Sequence, residues 1–246
     1  MTLRTRQTSR LGAATVAALC LALLPLSSSV RAPRGRTRVA SAGALGRPLL
    51  AHTTSEPERA AVRRQLASLA RGTYIGEMLA ERDSALARWP DHTSHPLLVW
   101  VQPTSSIEGW SSSYLTEVRT AFAQWNALQL PVRFAFTTDS TSANVHVTFV
   151  DHFDEEISGR TKWARDDDWW ITDADITLAV YHREGSMLDD EAMHAMALHE
   201  IGHLLGLDHT TDSTSIMAPK VRVRSLSRED RATVRLLYTL PPGGVR

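Results

Sequence analysis

Five residues in the run HEIGHLLGLDH have the types and spacing to hold and use a metal ion: His199, Glu200, His203, Gly206 and His209. In a helix, residues four positions apart lie about 40° apart around the axis and about 6 Å along it, so His199 and His203 can direct their imidazoles at one point. Gly206 is suited to end that helix, because glycine adopts the left-handed conformation common at helix ends. The turn would return His209 as a third ligand. Three protein nitrogens with one open position are typical of a catalytic zinc site.

The longer pattern H-E-x-x-H-x-x-G-x-x-H, followed by Met217 in the run SIMAP, resembles the metzincin signature of zinc proteases. The segment is most similar to the matrixin branch. This resemblance implies an α+β catalytic domain with a twisted, mostly parallel five-stranded sheet, an antiparallel edge strand, three helices, and a zinc-site helix followed by a methionine turn. In that family the methionine does not bind zinc but forms a hydrophobic floor under the histidines.

The ligand set predicts the chemistry of peptide-bond hydrolysis. Zn²⁺ held by three histidines lowers the pKa of water and polarises a substrate carbonyl. Glu200 would take the proton from that water as general base and later pass it to the leaving amine. Because a zinc site does not need this glutamate as a ligand, its presence favours an endopeptidase over the alternative, a catalytically silent, metal-stabilised exported envelope or binding protein.

The family resemblance also implies where a substrate would lie. In matrixins an edge strand pairs with an extended substrate, and the corresponding residues here are Gly159, Arg160 and Thr161. The chain after the methionine turn lines the pocket for the residue just past the scissile bond. Pro219 fits the family pattern, but Val221 stands where matrixins usually have tyrosine, so pocket size and cleavage preference stay open.

The elements that must position these residues follow from apolar periodicity. A helix is predicted to open at residues 111–114 and to run to residue 127, and a largely buried one around residues 190–205, with Ser186 or Asp189 as its N-cap. Histidine and glutamate are costly in a buried helix unless a metal satisfies them, which is an independent argument for the metal. Ser227 and Asp230 predict the start of a last helix. Strands are predicted near residues 96–101, 132–136, 144–150, 159–163 and 170–180.

The run Asp166, Asp167 and Asp168 raises the question of a second metal. Clustered aspartates on loops can supply the oxygen ligands that Ca²⁺ requires, and matrixins commonly carry calcium. Such runs are also common as solvated loops, so the sequence leaves calcium binding open. The spaced histidines and aspartates of the structural zinc site of matrixins are not found.

The N-terminal 55 residues predict export. Residues 1–30 combine arginines, an apolar run and small residues, which is typical of a secretory signal peptide, with an uncleaved membrane anchor as the alternative. Residues 31–55 have the composition of a disordered linker. We therefore expect a secreted or cell-envelope protein. The only cysteine, Cys20, lies within the apolar run, so the chain after it has no disulfide.

Residues 56–94 predict two amphipathic helical segments ahead of a catalytic domain at residues 95–240. They are either an inhibitory pro-segment or an N-terminal brace, and the sequence does not decide between them. Latent matrixins usually block zinc with a cysteine, which is excluded here because none follows Cys20. A carboxylate such as Asp91, or steric cover, could replace it.

The charge distribution limits the partners. Eight arginines and no acidic residue precede Glu56, which leaves 19 basic against 27 acidic residues in the rest of the chain. A net acidic body argues against nucleic acid as a partner. We expect protein or peptide substrates, a membrane association only if the N-terminal segment is uncleaved, and a monomer.

Overall fold

The computed structural model describes residues 55–82, 85–91 and 94–244, all within a unit of the chain that begins at Leu49. Its helices are α1 (Glu56–Leu69), α2 (Ile75–Glu81), α3 (Ser113–Asn126), α4 (Asp190–Leu204) and α5 (Arg228–Leu237). Its strands are β1 (Ala85–Leu86), β2 (Leu97–Val101), β3 (Phe134–Thr137), β4 (Val145–Val150), β5 (Gly159–Arg165), β6 (Ile171–Ala179) and β7 (Gly243–Gly244).

The predicted signal peptide or anchor at residues 1–30, and the predicted linker up to residue 54, lie outside the described residues. Within the described ranges, no helix has the length and apolar character needed to cross a membrane.

Five of the strands form one twisted sheet in the order β3-β2-β4-β6-β5. The first four run parallel, whereas β5 pairs antiparallel with β6 and forms one edge. Buried and half-exposed residues alternate along β4, where Val145, Val147 and Phe149 face the core. The mostly parallel five-stranded sheet with an antiparallel edge strand is therefore confirmed, as are three helices after residue 95.

Helices α3 and α4 pack together on the sheet. Phe122 and Trp125 lie on the buried face of α3, and the Trp125 indole nitrogen donates a hydrogen bond to the Leu198 carbonyl of α4 at 3.1 Å. Asp189 is the N-cap of α4, and its carboxylate accepts a hydrogen bond from the Ala192 backbone nitrogen at 2.7 Å. Ten of the 15 residues of α4 are buried, so its polar side chains need partners inside the protein.

The segment before residue 95 shares the core of the rest of the chain. Met78 of α2 is fully buried, and the Tyr74 backbone nitrogen donates to the Thr233 hydroxyl of α5 at 3.1 Å. The Trp89 indole nitrogen donates to the Leu204 carbonyl, in the last turn of α4, at 2.8 Å. That carbonyl has no partner within its own helix, so Trp89 satisfies a group that would otherwise be buried and unpaired.

Both helical segments predicted between residues 56 and 94 are present, but not every apolar residue of the first helix is buried. Val62 and Leu66 of α1 face the core, whereas the side chain of Leu69 is 51% exposed. Leu69 is the last residue of α1, where the chain turns towards α2. Asp91 accepts a hydrogen bond from the Arg88 guanidinium at 2.7 Å.

Candidate active site

The three histidines of the motif converge on one point. The Nε2 atom of His203 lies 3.1 Å from that of His199 and 3.2 Å from that of His209, and the third separation is 3.4 Å. Tetrahedral zinc with bonds of about 2.0–2.1 Å to nitrogen requires separations of about 3.3–3.4 Å. Among the described residues, these three are the only group of His, Cys, Asp or Glu side chains arranged to hold a metal ion. The donor set therefore fits zinc in both chemistry and spacing.

Backbone carbonyls fix the orientation of two of the rings. The Nδ1–H of His199 donates to the Ile216 carbonyl at 2.7 Å, and that of His203 donates to the Leu207 carbonyl at 3.0 Å. Each bond leaves the Nε2 lone pair directed at the common point. Burial lowers the pKa of His199 to about 4, and burial with the two neighbouring imidazoles holds the pKa of His203 well below its ordinary value. Both rings are then neutral near pH 7, which is the form that binds metal.

Gly206 ends α4 as predicted and sends the chain back towards the site. Its φ of +97° lies in the left-handed region, where a side chain is unfavourable. A Cβ at this position would also collide with the Ala87 carbonyl oxygen. The close approach of the segment before residue 95 therefore requires glycine here as much as the turn does.

Met217 lies directly beneath α4. Its side chain is fully buried and packs against Gly202, where an added Cβ would come within 3.1 Å of the methionine Cε. The Met217 carbonyl accepts a hydrogen bond from the Thr210 backbone nitrogen at 3.1 Å. The methionine turn thus supports the zinc-site helix from below and the residue after His209 from the side.

A buried carboxylate that the sequence did not single out for this role holds the methionine turn. Asp230 at the start of α5 is fully buried and accepts hydrogen bonds from the Ser215 hydroxyl and from the Ile216 backbone nitrogen at 3.1 Å. It also accepts from the Ser227 backbone nitrogen at 2.7 Å, which completes the predicted capping box, and from the Tyr74 hydroxyl at 3.3 Å. Ile216 also orients His199 through its carbonyl, so it links the hydrogen bonds of Asp230 to the histidine site.

Glu200 is held between two residues of β5. The Thr161 hydroxyl donates to its Oε2 at 2.6 Å, and the side chain packs on Gly159, where a Cβ would lie 2.7 Å from the Glu200 Cγ. The carboxyl is nearly inaccessible, with 3% of the residue exposed. Burial raises the pKa of Glu200 to about 7, against the Thr161 hydrogen bond, which lowers it. A buried carboxyl with a pKa near neutrality can both accept and return a proton.

An open cleft of about 1300 Å³ runs across these residues. The structure places every residue that the sequence assigned to substrate along its walls, together with the histidines and Glu200; these wall residues are Gly159, Arg160, Thr161, Pro219 and Val221. One wall is therefore the edge strand β5, and the opposite wall is the chain after the methionine turn. The Arg160 guanidinium pairs with Glu155 at 2.7 Å.

Comparison with known families agrees with this geometry. A model of the matrixin family, peptidase M10, matches residues 100–239, more than half of the chain. The chain belongs to the matrixin family. Among similar proteins, "Metalloendoproteinase 1" of Glycine max is 25% identical over 151 residues, which cover 53% of this chain and 47% of that protein. "Metalloendoproteinase 1-MMP" of Arabidopsis thaliana is 31% identical over 148 residues, which cover 52% of this chain and 38% of that protein.

This matrixin thus spans less than half the length of these two relatives. The family match begins within β2, so α1, α2 and β1 lie outside it. The recognition of a matrixin-type metzincin from the sequence is confirmed.

Other candidate ligands in this matrixin have structural partners elsewhere. The His194 Nε2 lies 2.9 Å from the Gln124 amide nitrogen, and His194 is not part of the group formed by the three histidines. Asp166 uses one oxygen to accept hydrogen bonds from the backbone nitrogens of Asp168 at 3.0 Å and Trp170 at 2.9 Å. These bonds stabilise the turn before β6, and a calcium site at the aspartates remains without structural support.

Proposed function

We propose that this matrixin is a zinc-dependent endopeptidase that hydrolyses extended protein or peptide substrates. The observation that carries the proposal is the convergence of three imidazole Nε2 atoms beside a buried carboxyl, in a cleft open to solvent. His199, His203 and His209 would hold the metal. Zinc, when bound there, would supply Lewis-acid chemistry, lowering the pKa of water and polarising a carbonyl.

Glu200 is the proposed general base and acid. The Thr161 hydroxyl occupies its Oε2, which leaves Oε1, the oxygen against Gly159, to accept a proton from the attacking water. The same oxygen can then deliver the proton to the leaving amine. Thr161, which the sequence assigned to substrate binding alone, orients the carboxyl in this proposal.

The edge strand β5 is the proposed platform for substrate. Its inner edge is paired with β6, and no described strand pairs with its outer edge, so an extended peptide can add to the sheet there. Such pairing would place the substrate backbone alongside Gly159 and next to Glu200. Pro219 and Val221 on the facing wall would bound the pocket beyond the scissile bond, with valine giving less bulk than the tyrosine usual in the family.

We further propose that the protein works as a monomer outside the cytoplasm. The three histidines, Glu200 and both walls of the cleft form a complete site within one chain, so the proposed chemistry needs no second copy. The arginines and apolar run of residues 1–30 support export to the medium or the cell envelope. Fractionation of the expressing cells, with mass spectrometry of the N-terminus, tests both export and removal of the signal.

Cleavage of an unstructured protein such as casein tests the enzymatic proposal. We expect the purified, zinc-loaded protein to cut casein, to stop when zinc is removed by a chelator, and to resume when zinc is restored. Glu200→Gln should retain zinc but lower kcat by about 10²–10⁴-fold. Glu191→Gln, which changes an exposed acid of the same helix, is the matched control and should retain activity.

Two results would count against this proposal. If the zinc-loaded wild-type protein cuts no protein substrate, the alternative of a silent, metal-stabilised protein replaces the enzyme. If Glu200→Gln cuts casein at the wild-type rate, Glu200 is not the base.

A further inference from the structure

The loop that carries the third proposed zinc ligand, His209, is hydrogen-bonded to a helix that lies outside the family match. We call residues 206–211 the ligand loop. Glu77 of α2 accepts a hydrogen bond from the Thr211 backbone nitrogen at 2.8 Å and another from the Thr210 hydroxyl at 3.2 Å. The two residues that follow His209 are therefore both bound to one carboxylate of α2.

Arg82, directly after α2, binds the residues that precede His209. Its guanidinium donates to the Gly206 carbonyl at 2.9 Å and to the Leu207 carbonyl at 3.2 Å. Its Nε also forms an ion pair with Asp208 at 2.5 Å, and the two side chains are only 14% and 17% exposed. A partly buried, multidentate arginine of this kind fixes geometry in a way that a surface ion pair does not.

The contacts between α2 and the ligand loop are fixed in position because α2 packs into the core. Ile75 and Met78 on its inner face are 1% and 0% exposed. The Ala87 carbonyl lies against Gly206, so the chain after α2 also touches the start of the ligand loop. Removing this segment would leave the ligand loop held by its own turn, by the hydrogen bond from His203 to the Leu207 carbonyl, and by the contact between Thr210 and Met217.

We propose that residues 55–91 are a permanent brace of the catalytic unit, in which Glu77 and Arg82 are positioning residues for His209, and not a pro-segment removed on activation. This inference rests on the proposed function, because it concerns the same zinc site. A ligand loop held in place before zinc arrives loses less conformational entropy on binding, so the brace raises zinc affinity. The contacts of the Glu77 carboxylate and the Arg82 guanidinium, one on each side of His209, hold the loop in this way.

Zinc affinity, measured by competition with a chromophoric chelator, tests the brace without using activity. We expect Arg82→Met and Glu77→Ala each to weaken zinc binding about 10–100-fold, the range typical when partners that orient a ligand are lost. Arg71→Met and Glu81→Ala change exposed residues of the same segment and should bind zinc as the wild type does. Hydrogen exchange in the zinc-free protein should become faster at the Thr211 amide in Glu77→Ala, and not in Glu81→Ala.

Three outcomes separate the inference from the proposed function. Wild-type zinc affinity in both Arg82→Met and Glu77→Ala would overturn the positioning role. An active protein whose N-terminus, determined by mass spectrometry, lies beyond Asp91 would overturn the permanent brace while leaving the endopeptidase intact. A wild-type protein that binds no zinc would overturn the proposed function, and the inference with it.

Discussion

Replacing Gly159 with alanine should displace the Glu200 carboxyl and slow catalysis without unfolding the protein. An alanine Cβ would lie 2.7 Å from the Glu200 Cγ and 2.8 Å from its Cδ. Carbon atoms in ordinary contact are about 3.5–4.0 Å apart, so the carboxyl must shift by roughly 1 Å. It cannot swing freely, because Glu200 is buried and bound to Thr161. A misplacement of this size costs about 100-fold in rate, or about 2.7 kcal/mol in the barrier.

The assay compares kcat, KM, zinc content and thermal unfolding of Gly159→Ala with those of the wild type. Gly159 does not have a left-handed backbone conformation, so alanine brings no backbone strain, and stability and zinc content should be retained. Gly76→Ala is the matched control, because a Cβ there meets nothing within 4 Å. A Gly159→Ala protein with wild-type kcat would refute the packing argument, and so would a rate loss that merely follows lost zinc or lost fold.

Three further outcomes are expected. Thr161→Val should lower kcat about tenfold with KM little changed, because a hydrogen bond to a buried carboxylate is lost, and Thr161→Ser should restore the rate. Asp230→Asn should lower the free energy of unfolding by about 2–3 kcal/mol, measured by urea denaturation, because a donor replaces a carboxylate oxygen in a buried network. A change below about 0.5 kcal/mol, the ordinary size of a surface substitution, would contradict the network. Gly206→Ala should reduce the melting temperature, since it combines left-handed strain with a clash against Ala87, and an unchanged melting temperature would contradict that contact.

Local patterns were enough to predict much of the site. The spacing of His199 and His203 fixes a shared helix face, and a glycine at residue 206 marks the helix end whatever the rest of the chain does. The capping box of Ser227 and Asp230 likewise depends on four consecutive residues. These features are short-range, so the sequence alone carries them.

The contacts that tune the site depend on packing between distant segments. Thr161 and Glu200 are 39 residues apart, and Glu77 and Thr211 are 134 apart. Nothing in the local pattern of an edge strand indicates that a threonine hydroxyl will face a carboxylate of the zinc helix. For the same reason the choice between pro-segment and brace could not be made from periodicity, since both have amphipathic helices.

The burial of the segment before residue 95 has a consequence for handling the protein. Tyr74, Ile75, Met78 and Trp89 are each at most 5% exposed and belong to the same hydrophobic cluster as Leu204 of α4 and Leu237 of α5, so this segment covers apolar surface of the rest of the chain. A chain trimmed to the region matched by the family model would uncover that surface. Exposed apolar patches of this kind promote self-association, so such a fragment should precipitate or oligomerise while the longer chain stays in solution.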